Sequence, residues 1–376
     1  MPLADMLSEY WRTLQCDLFP WLEEDLGPLG AHHRRFVTVI ETVRLEAFVG
    51  HWSGLPGRPQ KDRAALARAF VAKAVFKLAT TEMLIERVRS DKVLRRLCGW
   101  SRPGEVPSAS TFSRAFAAFA ASDLPGRVHA ALIERAFENR LVGHISRDST
   151  AIEAREKPVK PTVPEAPKRK RGRPRKGEER PKAPRRLERQ GHMSPDEMLA
   201  DLPRHCAVGT KRNAKGHQTS WIGYKLHLDV ADGDIPVTGL LTSASLHDSQ
   251  AAIPLASLTA GRVTNLYDLM DSAYDAPEIR SYSRALGHVP IIDVNPRTSE
   301  RKKDIASEAK ARRRAGVRLA EDIRYNERCA GERVNGRLKD DFGADMVRVR
   351  GHDKVMCHLM FGVLALTVEQ LFRLVT

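Results

Sequence analysis

The stretch "RYNERCAGERVNGRLKDDFG", residues 324–343, carries a regular set of polar side chains. Tyr325, Arg328, Glu332 and Lys339 follow one another at intervals of three, four and seven residues. On an α-helix these four positions fall within about 60° of one another, because each residue turns the chain by about 100°. The spacing predicts one helix with a phenol, a carboxylate and two cations along a single stripe. Such a stripe suits either a solvated surface or a site that holds a metal ion together with phosphates.

Two further carboxylates follow apolar runs and favour the second interpretation. Asp148 in "ISRDST" and Asp271 in "LMDSAYD" are each expected at the end of a β-strand. Carboxylates at strand ends converge at one edge of a sheet, where a helix packed across that edge brings Glu332 within reach of the same ions. We therefore predict a site formed by Asp148, Asp271 and Glu332.

Other residues near these positions are expected to have different roles. Asp268 precedes the end of its apolar run and Asp275 follows a tyrosine, so Asp271 is the preferred site residue of the three. Glu327 falls on the opposite face of the predicted helix from Glu332 and is expected to be exposed. His247 is expected to act in a turn or a helix cap rather than in catalysis.

Residues 141–376 are predicted to form a mixed α/β sheet flanked by helices. The run 221–230, "WIGYKLHLDV", alternates polar and apolar residues, and 236–245 is its expected hairpin partner. The runs 263–271 and 288–296 supply two more strands with a helix between them. The apolar run 359–368 is too short to span a bilayer and is expected to be a buried core helix.

Residues 1–140 are predicted to form a separate helical domain. Apolar residues recur at helical spacing over 62–88, without glycine or proline. The run 92–120 reads as helix, turn and helix, which permits a DNA-binding helix-turn-helix with Arg114 on its second helix. A helical hairpin on the surface without DNA contact is an equally acceptable interpretation.

A basic, proline-rich insert is predicted at about 155–205. Residues 155–190 contain 15 Lys or Arg, five Glu and seven prolines, and supply most of the net charge of +15. Such a segment buries too little apolar surface to order itself and is expected to be disordered. Its centre, Arg171-Gly172-Arg173-Pro174-Arg175, resembles an AT-hook, whose arginines lie in a narrow minor groove. The alternative is a basic linker that binds any phosphate backbone.

Composition narrows the class of protein further. The sequence pI of about 9.8 favours a polyanionic partner, most simply nucleic acid. The five cysteines include no CxxC pair, which argues against a zinc ribbon and a disulfide framework. Because the N-terminal residues lack the pattern of a signal peptide, a reducing cytoplasm is the expected location, with no membrane partner.

The four-residue pattern 325–339 resembles the YREK signature of insertion-sequence DDE transposases, whose catalytic domain has the RNase H-like fold. "RDST" and "DSAYD" are similar to the first and second aspartate motifs of that family. "GYKLHLDV" and "LHDS" resemble its second and third strands, and "PSASTFSRAF" resembles the helical N-terminal part of many of its members. The insert is the main departure from the family pattern.

The resemblance implies a function and assigns a role to each residue. Asp148, Asp271 and Glu332 would bind two Mg²⁺ or Mn²⁺ ions, and Tyr325, Arg328 and Lys339 would grip DNA phosphates. The enzyme would bind terminal inverted repeats, cleave the element ends and join the free 3′-hydroxyl to target DNA. A homodimer at the bacterial nucleoid is the implied working form. A catalytically inactive architectural DNA-binding protein and a nuclease without strand transfer are the alternatives.

Overall fold

The computed structural model describes residues 3–50, 61–159, 184–212, 216–296 and 298–376. Among the described residues, eight α-helices precede the first strand. They are α1 Leu3–Thr13, α2 Phe19–Leu26, α3 Ala31–Val43, α4 Arg63–Val75, α5 Thr81–Ser90, α6 Lys92–Cys98, α7 Ala109–Ala121 and α8 Leu124–Phe137. The sheet region contains β1 Leu141–Glu153, α9 Arg186–Gln190, α10 Pro195–Ala200, β2 Ala207–Arg212, β3 Gln218–Ala231, β4 Ile235–Ser243, α11 Ser249–Ala260, β5 Thr264–Met270, α12 Pro277–Ala285 and β6 Val289–Ile292. The remaining helices are α13 Ser299–Arg314, α14 Ala320–Tyr325, α15 Cys329–Phe342 and α16 His352–Arg373.

The strands form one mixed sheet. Its order is β2-β3-β1-β5-β6, and β4 pairs with β3. β3 is antiparallel to β1, whereas β5 and β6 run parallel to β1 and to each other. The predicted α/β class, with a mixed sheet flanked by helices and preceded by a helical region, is confirmed. The expectation that "LHDS" belongs to a strand is wrong, because β4 ends at Ser243 and these residues form the turn that leads into α11.

The two faces of the sheet are covered by different helices. α11 packs on one face against β3 and β4, while α15 and α16 cover the other face. α16 is the one described helix long and apolar enough to span a membrane, and 83% of that apolar window is buried within the protein. The prediction of a buried core helix at 359–368 is therefore confirmed.

The N-terminal helices and the sheet share one hydrophobic core. α16 contacts α3, α4, α7 and α8 on one side and β4 on the other, so that one continuous cluster of buried side chains spans both regions. The helical region 1–140 thus packs directly on the sheet region, and its standing as a separate domain stays a prediction. The C-terminal helix joins the two regions because it is apolar around most of its circumference.

The helix-turn-helix expectation is wrong in its geometry. Ten residues, 99–108, separate α6 from α7, whereas the motif requires a turn of three or four residues. α7 buries Phe112, Phe116 and Phe119, and all three rings lie against Phe70 of α4. Arg114 lies on the exposed side of α7.

Part of the predicted disordered insert is folded. α9 and α10 lie within 184–205 and pack against α11, because Leu187, Met193 and Met198 join a small apolar cluster there. Arg186 and Arg189 form ion pairs with Asp201 that fix the two helices to each other. The AT-hook-like residues Arg171, Arg173 and Arg175 lie outside the described residues.

A buried ion pair holds β1 in register on the α11 face. Arg147 donates two hydrogen bonds, of 2.8 and 2.7 Å, to the Asp229 carboxylate on β3. Thr259 on α11 donates a third bond to the same carboxylate. Removing one partner of such a pair is costly because the other charge stays buried and unpaired. Arg147 thereby fixes the strand whose next residue, Asp148, faces the opposite side of the sheet.

Candidate functional site

Asp148 and Asp271 lie side by side on neighbouring strands. In the parallel pairing of β1 with β5, Arg147 is level with Met270, so the following residues, Asp148 and Asp271, are also level. Neighbouring strands are about 4.8 Å apart, which brings the two carboxylates to one place. Asp148 lies within β1 rather than at its end, contrary to expectation, because β3 continues to pair with β1 as far as Glu153 after β5 has ended.

A turn fixes the Asp271 carboxylate at the end of β5. Its Oδ1 accepts a hydrogen bond of 2.9 Å from the Ala273 backbone N–H and caps the short 3-10 turn Ser272–Tyr274. Asp271 also lies on the same side of the sheet as Leu269, and therefore on the face covered by α15. The local sequence Asp-Ser-Ala-Tyr thus orients the side chain that sequence reasoning singled out.

α15 is docked on β1 by a serine and a glycine. The Ser146 hydroxyl donates to the Arg328 carbonyl oxygen at 2.6 Å and accepts from the Gly331 N–H at 3.3 Å. A Cβ atom on Gly331 would lie 2.9 Å from the Asp148 Cβ, which is closer than real Cβ atoms approach. Only glycine at this position allows α15 to approach Asp148 so closely.

One turn later in α15, Asn335 contacts the same aspartate. Its Nδ2 donates a hydrogen bond of 3.1 Å to Asp148 Oδ2, and the side chain is buried. Sequence reasoning missed Ser146, Gly331 and Asn335. The available signal was their spacing, since Ser146 precedes Asp148 by two residues on the same strand face, and Gly331 and Asn335 share one helix face.

The predicted single helix over the signature residues is interrupted. α14 ends at Tyr325, residues Asn326–Arg328 form a 3-10 turn, and α15 begins at Cys329. A 3-10 turn rotates the chain by about 120° per residue, so the straight stripe expected from α-helical spacing is broken at this point. The Ser146 bond to the Arg328 carbonyl lies at this junction.

Arg328 is the central cation of the site. Its guanidinium lies 5.6 Å from the centre of the Tyr325 ring and donates a hydrogen bond of 2.8 Å to Glu332 Oε1. The charge of Arg328 also lowers the pKa of Asp148 and of Asp271, although burial has the larger, opposite effect on both. Arg328 therefore lies among all three predicted carboxylates.

The structure brings together two of the three predicted metal ligands. The Glu332 side chain is 56% exposed and is paired with Arg328 rather than placed beside the aspartates. Within the part of the chain that the structure describes, no group of three or more His, Cys, Asp or Glu side chains could hold a metal ion. Asp148 and Asp271 provide the oxygen ligands that hard divalent ions prefer, and Glu332 lies next to Gly331, whose N–H donates to Ser146 on the same strand face as Asp148.

The electrostatic environment raises the pKa values of both aspartates. Burial is the main cause for Asp148, and the charge of Asp271 adds to it, so that the pKa of Asp148 rises to about 6. Burial likewise raises the pKa of Asp271, with a further contribution from Asp248. A pair of desolvated carboxylates of like charge is typical of a site that binds a cation.

Lys339 lies two helical turns beyond Glu332. Burial lowers the pKa of Lys339, and the nearby Lys211 lowers it further, whereas Glu153 at the end of β1 opposes the shift. Lys211 is an exposed residue of β2 that sequence reasoning missed, and its charge also reaches Asp271. The cations Lys211 and Lys339 therefore lie on the side of the site toward which β1 runs. Arg114 on α7 is exposed, and its Nε donates to the Ser110 carbonyl oxygen of its own helix.

The competing residues occupy the positions expected for structural roles. Asp268 is buried on the α11 face, where Ser283 donates a hydrogen bond of 2.5 Å to it. Asp275 forms an ion pair with Arg280. Glu327 is exposed, and His247 Nδ1 forms a hydrogen bond of 2.8 Å with the Ser249 hydroxyl at the start of α11.

Comparison with protein families agrees with this geometry. Residues 147–368 match the family described as "Transposase DDE domain", which is more than half of the chain. The chain belongs to the DDE transposase family. Residues 23–118 match a second description, "Transposase domain (DUF772)". No curated protein and no solved structure matches the chain.

Membership explains the sheet that carries the aspartates. The mixed sheet with β1 at its centre is the RNase H-like fold expected of a DDE transposase. The family match begins at Arg147, beside Asp148, and includes α15 and most of α16. The second match covers most of the N-terminal helices that share the core with α16.

A substitution in α15 tests the close approach to Asp148. Gly331→Ala places a methyl group against the Asp148 Cβ and should lower the free energy of unfolding by about 1–3 kcal/mol, as overpacking does. Gly336→Ala in the same helix is the matched control, because no atom lies within 4 Å of its added methyl group. Gly336→Ala should be more stable than the wild type by about 0.5–1 kcal/mol, since alanine favours the helical conformation more than glycine does. Urea unfolding measures both, and an unchanged Gly331→Ala stability contradicts the docking described.

The raised pKa of Asp148 predicts a stability that depends on pH. Between its ordinary value of 3.8 and about 6, the folded protein binds a proton that the unfolded chain does not. The stability contributed by protonated Asp148 is therefore complete below the lower value and is lost as the pH rises through about 6. Asp148→Asn removes this loss, so the variant should be more stable than the wild type by on the order of 1–3 kcal/mol above pH 6.

The measurement is urea unfolding in EDTA-containing buffer at several pH values from 4 to 8. The advantage of Asp148→Asn should vanish near pH 4, where the wild-type carboxyl is protonated. An advantage that is constant with pH, or that grows toward acid, would show that Asp148 does not titrate as described.

Proposed function

We propose that this transposase binds the terminal inverted repeats of an insertion sequence, cleaves the element ends and joins the free 3′-hydroxyl to target DNA. The observation that supports the proposal best is the pairing of Asp148 with Asp271 on adjacent strands, both with raised pKa values. Two desolvated carboxylates gain most from a divalent cation, because it neutralises both charges at once.

Asp148, Asp271 and Glu332 are proposed as the ligands of two Mg²⁺ or Mn²⁺ ions. Such ions, when bound, activate the attacking oxygen and stabilise the leaving oxygen of a phosphodiester. Asn335 holds the Asp148 carboxylate through its Nδ2 atom, and Ala273 holds that of Asp271. These hydrogen bonds fix the orientation of the two ligands before any ion is bound.

Glu332 has to leave Arg328 in order to join the two aspartates. Glu332 is 56% exposed, and Arg328, in the turn before α15, is 18% exposed. An ion pair between residues four apart that is open to solvent on one side contributes on the order of 1 kcal/mol. A DNA phosphate offers Arg328 a bidentate partner of at least equal strength. We infer that DNA takes over Arg328 and thereby frees Glu332, while Tyr325 and Lys339 contact phosphates on either side.

The remaining parts of the proposal concern partners and location. Two element ends have to be brought together, which favours a homodimer on the DNA. The net charge of +15 suits a protein that works on chromosomal DNA at the bacterial nucleoid, in the cytoplasm. The AT-hook-like residues Arg171, Arg173 and Arg175 are proposed to add contacts to A·T-rich minor grooves, and Arg114 is retained as a candidate DNA contact of α7.

Cleavage of a labelled duplex that carries the element end tests the reaction. Wild-type protein with Mg²⁺ should nick the end and join it to a target plasmid, whereas Asp271→Asn should lower the rate of both steps by at least about 10³-fold, as removal of a metal ligand implies. Glu327→Gln is the matched control, because this exposed carboxylate is close in sequence to the site but not part of it, and it should retain activity.

The two alternative functions give different products in the same assay. Nicking without a joined product favours a nuclease. Binding of the duplex with no cleavage by the wild type favours an architectural protein. Equal cleavage by wild type and Asp271→Asn would contradict the proposed site.

A further inference from the structure

A basic site, separate from the site at the two aspartates, lies where the N-terminal helices meet the C-terminal part of the chain. It is a pocket of about 430 Å³ between α4, α5 and α7 on one side and residues 348–358 on the other. Five cationic side chains line it, with Glu82 as the one carboxylate in the lining. The five are Lys73, Arg155, Arg348, Arg350 and Lys354.

Buried and exposed residues alternate in the segment after α15, and this alternation directs two of these cations into the pocket. In the segment after α15, Val347 is buried in the core, while Arg348 and Arg350 are exposed. Arg350 Nε donates a hydrogen bond of 3.0 Å to the Arg155 carbonyl oxygen, which ties this segment to the end of β1. The backbone therefore holds cations from two distant parts of the sequence at one opening.

The five cations form no ion pair within 4 Å with any carboxylate in the described part of the chain. By contrast, ion pairs are formed by the buried or half-buried arginines Arg35, Arg147, Arg280 and Arg337. Lys73 is only partly exposed, and burial lowers its pKa to about 8, with Glu82 opposing the shift. A desolvated ammonium group without a partner is unfavourable until an anion enters.

The position of the pocket relative to the aspartates suits a long polyanion. β1 runs from Asp148 toward Arg155 at roughly 3.3 Å per residue, so the pocket lies about 20 Å from the aspartates. Lys339 lies between the two, since its charge interacts with Glu153 at the end of β1. At about 3.4 Å per base pair, this separation corresponds to roughly six base pairs of duplex.

We propose that this pocket, lined by Lys73, Arg155, Arg348, Arg350 and Lys354, binds a backbone phosphate of the element-end DNA roughly six base pairs from the cleaved bond. The proposal rests on the proposed function, because it takes the aspartates as the site of cleavage. Its ligand is a phosphodiester group, because several cations clustered in one pocket suit a phosphate anion, and a phosphate contact carries no sequence information. The pocket thereby aligns the duplex along β1, so that the N-terminal helices and the sheet contact one DNA molecule.

The test uses the full chain and a fluorescent 40-base-pair duplex of mixed sequence. Arg348→Gln/Lys354→Gln removes two exposed cations for which no partner is present in the described residues, so the variant should fold. In a plot of log K against log[salt], the slope for this variant should be shallower than the wild-type slope by about 2. Its affinity for the duplex near physiological salt should fall on the order of tenfold. Lys73→Gln alone should reduce the slope by about 1.

The matched control is Arg12→Gln/Lys92→Gln, which removes two exposed cations outside the pocket. It should keep the wild-type slope. Equal slopes in the pocket and control variants overturn the proposal. Calorimetric titration with inorganic phosphate separates a free-anion site from a DNA contact, because phosphate binding to the wild type with no change of slope in the variants also overturns it.

The comparison of salt slopes tests the pocket whether or not the proposed cleavage reaction is correct. Cleavage that survives Asp271→Asn would remove the proposed function while leaving the comparison of slopes valid. Equal slopes would remove the pocket proposal while metal-dependent cleavage by the wild type remained.

Discussion

The close approach of α15 to β1 is the constraint on which the site depends. A Cβ atom at position 331 would lie 2.9 Å from the Asp148 Cβ, and Ser146 binds both the Arg328 carbonyl and the Gly331 N–H. A side chain at position 331 would move the helix outward and carry the signature residues with it. The contact therefore connects the central strand, which is fixed in the sheet, with a helix that carries the third carboxylate.

The site also brings several charged side chains close together. Asp148 and Asp271 are brought together by strand register and are partly desolvated, which raises the pKa values of both. Arg328 lies close enough to favour their ionised forms while it is paired with Glu332. One arginine thus offsets part of the repulsion among three carboxylates. An arrangement of this kind can be rearranged by a ligand that competes for the arginine.

The sequence was sufficient for the fold class, because strand alternation and apolar runs depend on local pattern. The sequence was insufficient for features of the structure that depend on tertiary contacts. The 3-10 turn before Cys329 is accompanied by a hydrogen bond from Ser146, which is far away in the chain. The shared core could not be anticipated because it depends on α16 packing on both regions. The helices within 184–205 were not predicted, because the high charge of the preceding residues indicated a disordered segment.

The most direct test of the central claim is anomalous diffraction from crystals of the protein with element-end DNA and Mn²⁺. The account predicts anomalous peaks between the carboxylates of Asp148 and Asp271, with Glu332 turned away from Arg328 and Arg328 on a DNA phosphate. Manganese bound elsewhere, with Glu332 still paired to Arg328 and the aspartates free of metal, would contradict it.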